Sequence, residues 1–157
     1  MAKNILTKAG LAEYERELSE LKIVRRREVA EKLKEARAQG DLSENAEYDA
    51  AKDEQRDIEA RIEEIENILA NADVVQDNEI SASEVTVGCT VRLLDIELSK
   101  EGTYKIVGSM EANSLKGKIS NESPVGKAIL KHQVGDVVKV NAPVGELDYK
   151  VLDIYVE

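Results

Sequence analysis

The sequence predicts a two-domain chain of mixed class: an antiparallel coiled-coil hairpin over residues 1–76, a linker at 77–84, and an α+β globular domain over 85–157. Three observations carry this reading. Apolar residues in the first half recur at steps of three and four, the period of one helix face. In the second half they recur at steps of two, the period of a half-buried strand. Of nine Gly and two Pro, only Gly10 and Gly40 fall in the first half, whose long stretches of Glu, Lys, Arg, Ala and Leu all suit helix interiors.

The first helix has Thr7 as its expected N-cap, with Leu11, Tyr14, Leu18 and Leu21 as an a/d seam. Val29, Leu33 and Ala36 resume that seam, and the 11-residue step from Leu18 to Val29 marks a stutter rather than a strict heptad. After Gly40 the second helix runs Tyr48, Ala51, Gln55, Ile58, Ile62, Ile65, Leu69 and Ala72. Helices joined by so short a turn fold back on each other. At about 1.5 Å per residue, the span from Leu11 to Gln39 is roughly 40 Å long, so the turn is expected to project into solvent. Ala36, Ala46 and Ala50 replace larger residues near it, which gives a slender tip.

Residues 77–84, DNEISASE, read as the linker. Beyond it, Val85, Val87, Cys89, Val91 and Leu93 alternate, and Tyr104 to Val107, Val137 to Val140, and Leu147 to Val151 are further strands. Gly102, Gly108, Gly117, Gly135 with Asp136, and Pro143 with Gly145 punctuate them. Ser123 as N-cap and Pro124 at the first helical position announce one short helix.

The segment Gly40-Asp41-Leu42-Ser43-Glu44-Asn45-Ala46-Glu47-Tyr48 is where chemistry can reside. Gly40 suits the left-handed position that ends a helix, and Asp41 with Glu44 three residues on forms a capping-box pattern for the next helix. The same carboxylates can supply two oxygen ligands to Mg²⁺, which favours octahedral oxygen coordination. Two ligands make no autonomous site, so a tip of this kind would complete a site partly built by another molecule. Residues 41–59 carry eight acids against Lys52 and Arg56, a net of −6 within a chain whose net charge is −10.

Composition narrows the function classes. The acidic balance argues against general binding of duplex DNA, which draws its free energy mainly from Lys and Arg. A single Cys89 and a single His132 leave no zinc set, internal disulfide or Cys/His nucleophile pair. Cys89 is expected in the core, and His132 is expected to solvate or cap. With no apolar run longer than three residues and no signal-like start, the chain is expected to be cytoplasmic.

Two long segments then carry a resemblance. The first is Val24-Arg25-Arg26, Glu35-Ala36-Arg37 and the tip GDLSENAEYDAAK from Gly40 to Lys52. The second is ISNESPVGKAIL from Ile119 to Leu130, followed by VGDVVKVNAPVGELDYKVLDI. In these segments the sequence resembles the Gre family of bacterial transcription elongation factors over essentially its whole length. The resemblance implies an FKBP-like fold for the C-terminal domain. It implies a partner, bacterial RNA polymerase, with the globular domain at the rim of the secondary channel and the hairpin inserted toward the catalytic centre. The implied activity is stimulation of the polymerase's own hydrolysis of the 3′ end of backtracked RNA, so the factor is no enzyme itself. Asp41 and Glu44 fall on the family's two functional tip acids, sharing Mg²⁺ only in the complex. Arg37 and Lys52 correspond to basic positions that hold the extruded RNA, and Ser120, Ser123 and Pro124 to a polymerase-docking signature. Ser43 stands where relatives often carry Lys, which implies a smaller basic patch.

Three other readings compete. A Gre-like protein could enter the channel and inhibit, although an intact Asp41-x-x-Glu44 pair speaks against it. A prolyl isomerase would need an aromatic-lined pocket, for which the C-terminal half offers only Tyr104, Tyr149 and Tyr155. A coiled-coil scaffold would tolerate loss of both tip acids.

Overall fold

The computed structural model describes residues 4–40 and 45–156. Two compact units emerge, one of Leu11–Asn71 and one that joins the described part of Met1–Gly10 to Ala72–Glu157.

The first unit is the helical hairpin. Helix α1 (Lys8–Glu20) leads through a π-helical turn, Leu21–Arg25, into α2 (Arg26–Ala38), and α3 (Ala46–Ala70) returns. The π turn is the physical form of the stutter. Leu21 and Val29 are eight residues apart, one more than a heptad, and a π turn absorbs one extra residue. Both are therefore buried on one face, where they pack with Ile58, Ile62 and Ile65, while Tyr14, Leu18 and Leu69 flank the cluster. Ile68 is also buried, and the seam ends there: Ala72, expected as its last member, belongs to a strand.

Ion pairs run across the hairpin. Arg61 forks onto both carboxylate oxygens of Glu17, at 2.6 and 2.9 Å, and Arg26 does the same to Glu59 at 2.8 and 2.7 Å. Lys22 reaches Glu66, and Arg25 and Lys32 share Glu54. From one end of this set to the other the partner number falls, from Arg61 opposite Glu17 to Glu54 opposite Lys32, as an antiparallel hairpin requires. Two of the three consecutive arginines, Arg25 and Arg26, thus meet acids of the paired helix.

The second unit begins before the hairpin. Strand β1 (Asn4–Leu6) pairs in parallel with β2 (Ala72–Val74), with Asn4 opposite Ala72 and Leu6 opposite Val74. Parallel neighbours need a long crossover connection. Here the whole hairpin is that connection. The expected boundaries are corrected accordingly: the chain up to Gly10 and the segment from Ala72 through the expected linker belong to the C-terminal unit. The reason is local bonding. Val75 N–H donates to Leu6 C=O, Lys8 pairs with Asp77, and Ile80 packs on the core of the sheet.

The sheet itself has five strands in the order β5-β4-β3-β7-β6. These are β3 (Thr90–Asp95), β4 (Lys100–Val107), β5 (Lys118–Ser120), β6 (Val137–Ala142) and β7 (Gly145–Tyr155). Pairing is antiparallel except between β4 and β5. The short helix α4 (Pro124–Ile129) stands where Ser123 and Pro124 predict it. Val85, Cys89, Val91, Leu93, Ile106, Ile129, Val138, Val151 and Ile154 form the core. Burial pushes the Cys89 thiol up from its ordinary value, in keeping with a core residue.

Candidate functional site

Helix α2 ends at Ala38 and α3 begins at Ala46, so the tip sequence joins two helix ends. Asp41 and Glu44 lie outside the described residues. The described flanks still decide how α3 starts. Its N-cap is Asn45, whose Oδ1 accepts from Tyr48 N–H at 3.0 Å. The capping box expected from Asp41 and Glu44 is corrected on this point: the helix starts later than that pattern requires, and a different residue supplies its cap.

Asn45 also reaches across the hairpin. Its Nδ2 donates to the carbonyl of Ala36 at 2.6 Å, in the last turn of α2. One side chain thus adds a second donor to a carbonyl that also accepts from Gln39 N–H at 3.2 Å, and satisfies an orphan N–H of the helix that begins. The Arg37 guanidinium lies over the Tyr48 ring, 5.9 Å from its centroid, a second link across the same gap. Gly40 takes a φ of +112°, the conformation expected of it.

Charge around the tip follows the helix dipoles. Glu47 and Asp49 stand in the first turn of α3, and Arg37 in the last turn of α2, each at the end that favours its sign. Arg37 and Lys52 are both exposed, on α2 and α3 respectively. Among the described residues no group of three His, Cys, Asp or Glu could hold a metal ion.

A second constellation surrounds Ser120, Ser123 and Pro124. Ser123 Oγ donates to the Ser120 carbonyl at 2.7 Å and accepts from Gly126 N–H at 3.1 Å, capping α4. Ser120 Oγ accepts from Glu122 N–H at 2.9 Å and lies 3.2 Å from Ser109 Oγ, which donates to Glu122 at 2.6 Å. Gly126 is needed here because a Cβ would overlap the Ser120 carbonyl oxygen. Most of this motif is thus explained by the turn from β5 into α4, which holds Pro124 exposed at the helix start.

Sequence reading passed over two residues that the structure brings forward. Asn45 was legible in principle, as a favoured cap type immediately before Ala46. Glu111 was not: it accepts from Thr7 N–H at 2.7 Å and Thr7 Oγ1 at 2.6 Å across 104 residues of sequence. Thr7 Oγ1 meanwhile accepts from Gly10 N–H at 3.1 Å, the predicted cap.

Comparison with known proteins places these features in a family. Residues 4–74 match the model described as transcription elongation factor, N-terminal, and residues 80–156 match transcription elongation factor, GreA/GreB, C-term. The chain belongs to the GreA/GreB family of transcription elongation factors. It is similar to transcription elongation factor GreA of Lachnoclostridium phytofermentans, 62% identical with 97% of this chain and 95% of that protein covered. The GreA of Thermoanaerobacter pseudethanolicus is 53% identical, with 96% of each covered. A solved structure, GreA factor homolog 1 of Thermus thermophilus, is 36% identical over 98% of this chain and 99% of that one, with a TM-score of 0.42. The two family matches meet close to residue 76, where the hydrophobic period changes. As a GreA/GreB-type factor, the chain has no described helix long and apolar enough to cross a membrane.

Proposed function

We propose that this transcription elongation factor binds bacterial RNA polymerase through its secondary channel and stimulates the polymerase's own hydrolysis of the 3′ end of backtracked RNA. The observation that carries this reading is the family match across both units, joined to an Asp41-x-x-Glu44 pair at the turn of the hairpin. Tapering supports it. Among the described residues the buried one nearest the tip is an alanine on each helix, Ala36 on α2 and Ala51 on α3, whereas further along the hairpin Leu33, Val29, Leu21, Ile58 and Ile62 are buried. Small seam residues let two helices approach closely enough to enter a narrow channel.

Asp41 and Glu44 fit Mg²⁺ by donor chemistry, as hard oxygen ligands, and being two they fit a site completed by another protein. Bound metal of this kind lowers the pKa of its water and stabilises a leaving oxygen. Within this chain, the two carboxylates supply ligands at the tip, while exposed Arg37 and Lys52 offer positive charge to the phosphates of extruded RNA. Ser120, Ser123 and Pro124 shape the surface that docks on polymerase.

The test is a purified backtracked elongation complex supplied with each variant. Asp41→Asn and Glu44→Gln are each expected to lower stimulated cleavage by a hundredfold or more, about 2.7 kcal/mol of barrier, while still competing with the parent factor for polymerase. Cleavage at the parent rate by both variants would sink the assignment. An inhibitory, channel-blocking action predicts slower elongation without cleavage in the same assay.

A further inference from the structure

Asn45 is the one described side chain at the tip that hydrogen-bonds to both helices of the hairpin. It is half-buried, and its amide divides two tasks. The oxygen caps α3 through Tyr48 N–H, and the nitrogen holds the carbonyl of Ala36 on α2. Capping alone needs only an acceptor, which Ser, Thr or Asp supplies as well. The donor half of the amide is therefore surplus to capping. What it adds is a fixed distance between the end of α2 and the start of α3, the two anchors from which residues 41–44 are strung. Glu44 is bonded directly to Asn45, so the orientation of Asn45 is the starting point for the Glu44 backbone.

We propose that Asn45 is a positioning residue for the tip acids, acting through its bridge to Ala36 rather than through its helix cap. The inference rests on the reading of Asp41 and Glu44 as the functional acids. Carboxylates that must meet a site on another molecule lose effect steeply when displaced, and an error near 1 Å can cost about a hundredfold in rate. Arg37 over Tyr48 holds the same gap but fixes only side chains, whereas the Asn45 bridge ends on main chain at Ala36.

Asn45→Ser separates the two tasks, because serine keeps a capping oxygen, is neutral, and lacks the amide that reaches Ala36. Stimulated cleavage of a backtracked complex is measured as a function of factor concentration for the parent, Asn45→Ser, Asp41→Asn and Glu44→Gln. The expected result for Asn45→Ser is a maximal rate about ten- to a hundredfold lower. Its half-maximal concentration and its thermal melt should remain those of the parent, since docking and cap persist. The bridge is read directly in the free factor by NMR, where the Asn45 side-chain amide protons should exchange slowly. A parent-like maximal rate for Asn45→Ser, or fast exchange of that amide in the parent, overturns the positioning role and leaves the proposed function standing. Parent-like rates for both Asp41→Asn and Glu44→Gln in the same assay overturn both.

Discussion

At the scale of single residues, the Thr7–Glu111 clasp is the clearest case of a contact that joins distant sequence. Thr7 is buried, and both its backbone N–H and its hydroxyl donate to the Glu111 carboxylate. Hydrogen bonds to a charged group contribute about 1.5–3 kcal/mol, and a buried donor left without a partner bears its full desolvation cost. Glu111→Ala should therefore lower the unfolding free energy of the C-terminal unit by about 1.5–3 kcal/mol, read by denaturant unfolding followed by circular dichroism. A loss under ~0.5 kcal/mol, the range of ordinary surface substitutions, would contradict the clasp. Gly10 belongs to the same arrangement, because a Cβ there would overlap the Glu111 side chain. Gly108 has a comparable reason, since its Cβ would overlap the Ile5 carbonyl oxygen.

At the scale of elements, the hairpin shows how far periodicity reads. The steps of three and four located both helices and their seam, and the 11-residue step located the irregularity. Its form was not legible, because a stutter can be absorbed by supercoiling or by an inserted π turn, and only packing chooses. The choice is visible in Leu21 and Val29, which share one buried face. The ion pairs across the hairpin carry a pH dependence. Hydrogen bonds from Arg61 hold the Glu17 carboxyl below its usual value, and Lys32 and Arg26 do the same for Glu54 and Glu59. Carboxylates lowered on folding stabilise the hairpin fully above the unfolded glutamate value, about 4.3. That contribution is lost as pH falls through the lower folded values. All three pairs are solvent-screened, so each contribution is small. The helical melting temperature should hold steady from neutral pH to about pH 5, then drop toward pH 3. Arg61→Gln should shrink the drop, and added salt should shrink it further. A melt that is flat from pH 7 to pH 3 would remove these pairs from the account.

At the tip, the sequence reading and the structure differ in an instructive way. Asp41 and Glu44 form a capping pattern on local spacing, yet α3 takes its cap from Asn45. Local spacing states which residues can cap. Where the helix begins depends on the partner helix, here on the Ala36 carbonyl that Asn45 also binds. The short helix α4 is the opposite case: Ser123 and Pro124 announced it, and the observed cap is the one read from sequence, because both bonds of Ser123 lie within three residues.

At the scale of the whole molecule, the N-terminal strand changes the meaning of the domain boundary. A shift in composition near residue 76 divides the chain once, whereas the structure divides it twice, with a hairpin inserted between two parallel strands of one unit. Removing residues 1–6, which keeps the Thr7 cap of α1, should therefore weaken the C-terminal unit and spare the helices. The loss of buried Leu6 alone is worth about 1.5–3 kcal/mol, which for a domain of this size lowers the melting temperature on the order of 10 °C. Calorimetry of the full chain and the truncated chain checks this, and an equal loss in the helical transition would contradict it.

What the sequence determined by itself is whatever is written in local period and local chemistry: two long helices, the strands β3, β4, β6 and β7, although β3 opens at Thr90 rather than at Val85, the caps at Thr7 and Ser123, and the motif segments that carry the family. Those signals lie within a few residues of each other, so composition and spacing suffice. The tertiary structure alone decided the parallel pairing of β1 with β2, the grip of Glu111 on Thr7, the form of the π turn and the bridge from Asn45 to Ala36. Each joins groups whose separation in the chain carries no period, and each exists because burial demands a partner for a polar group or a face for an apolar one.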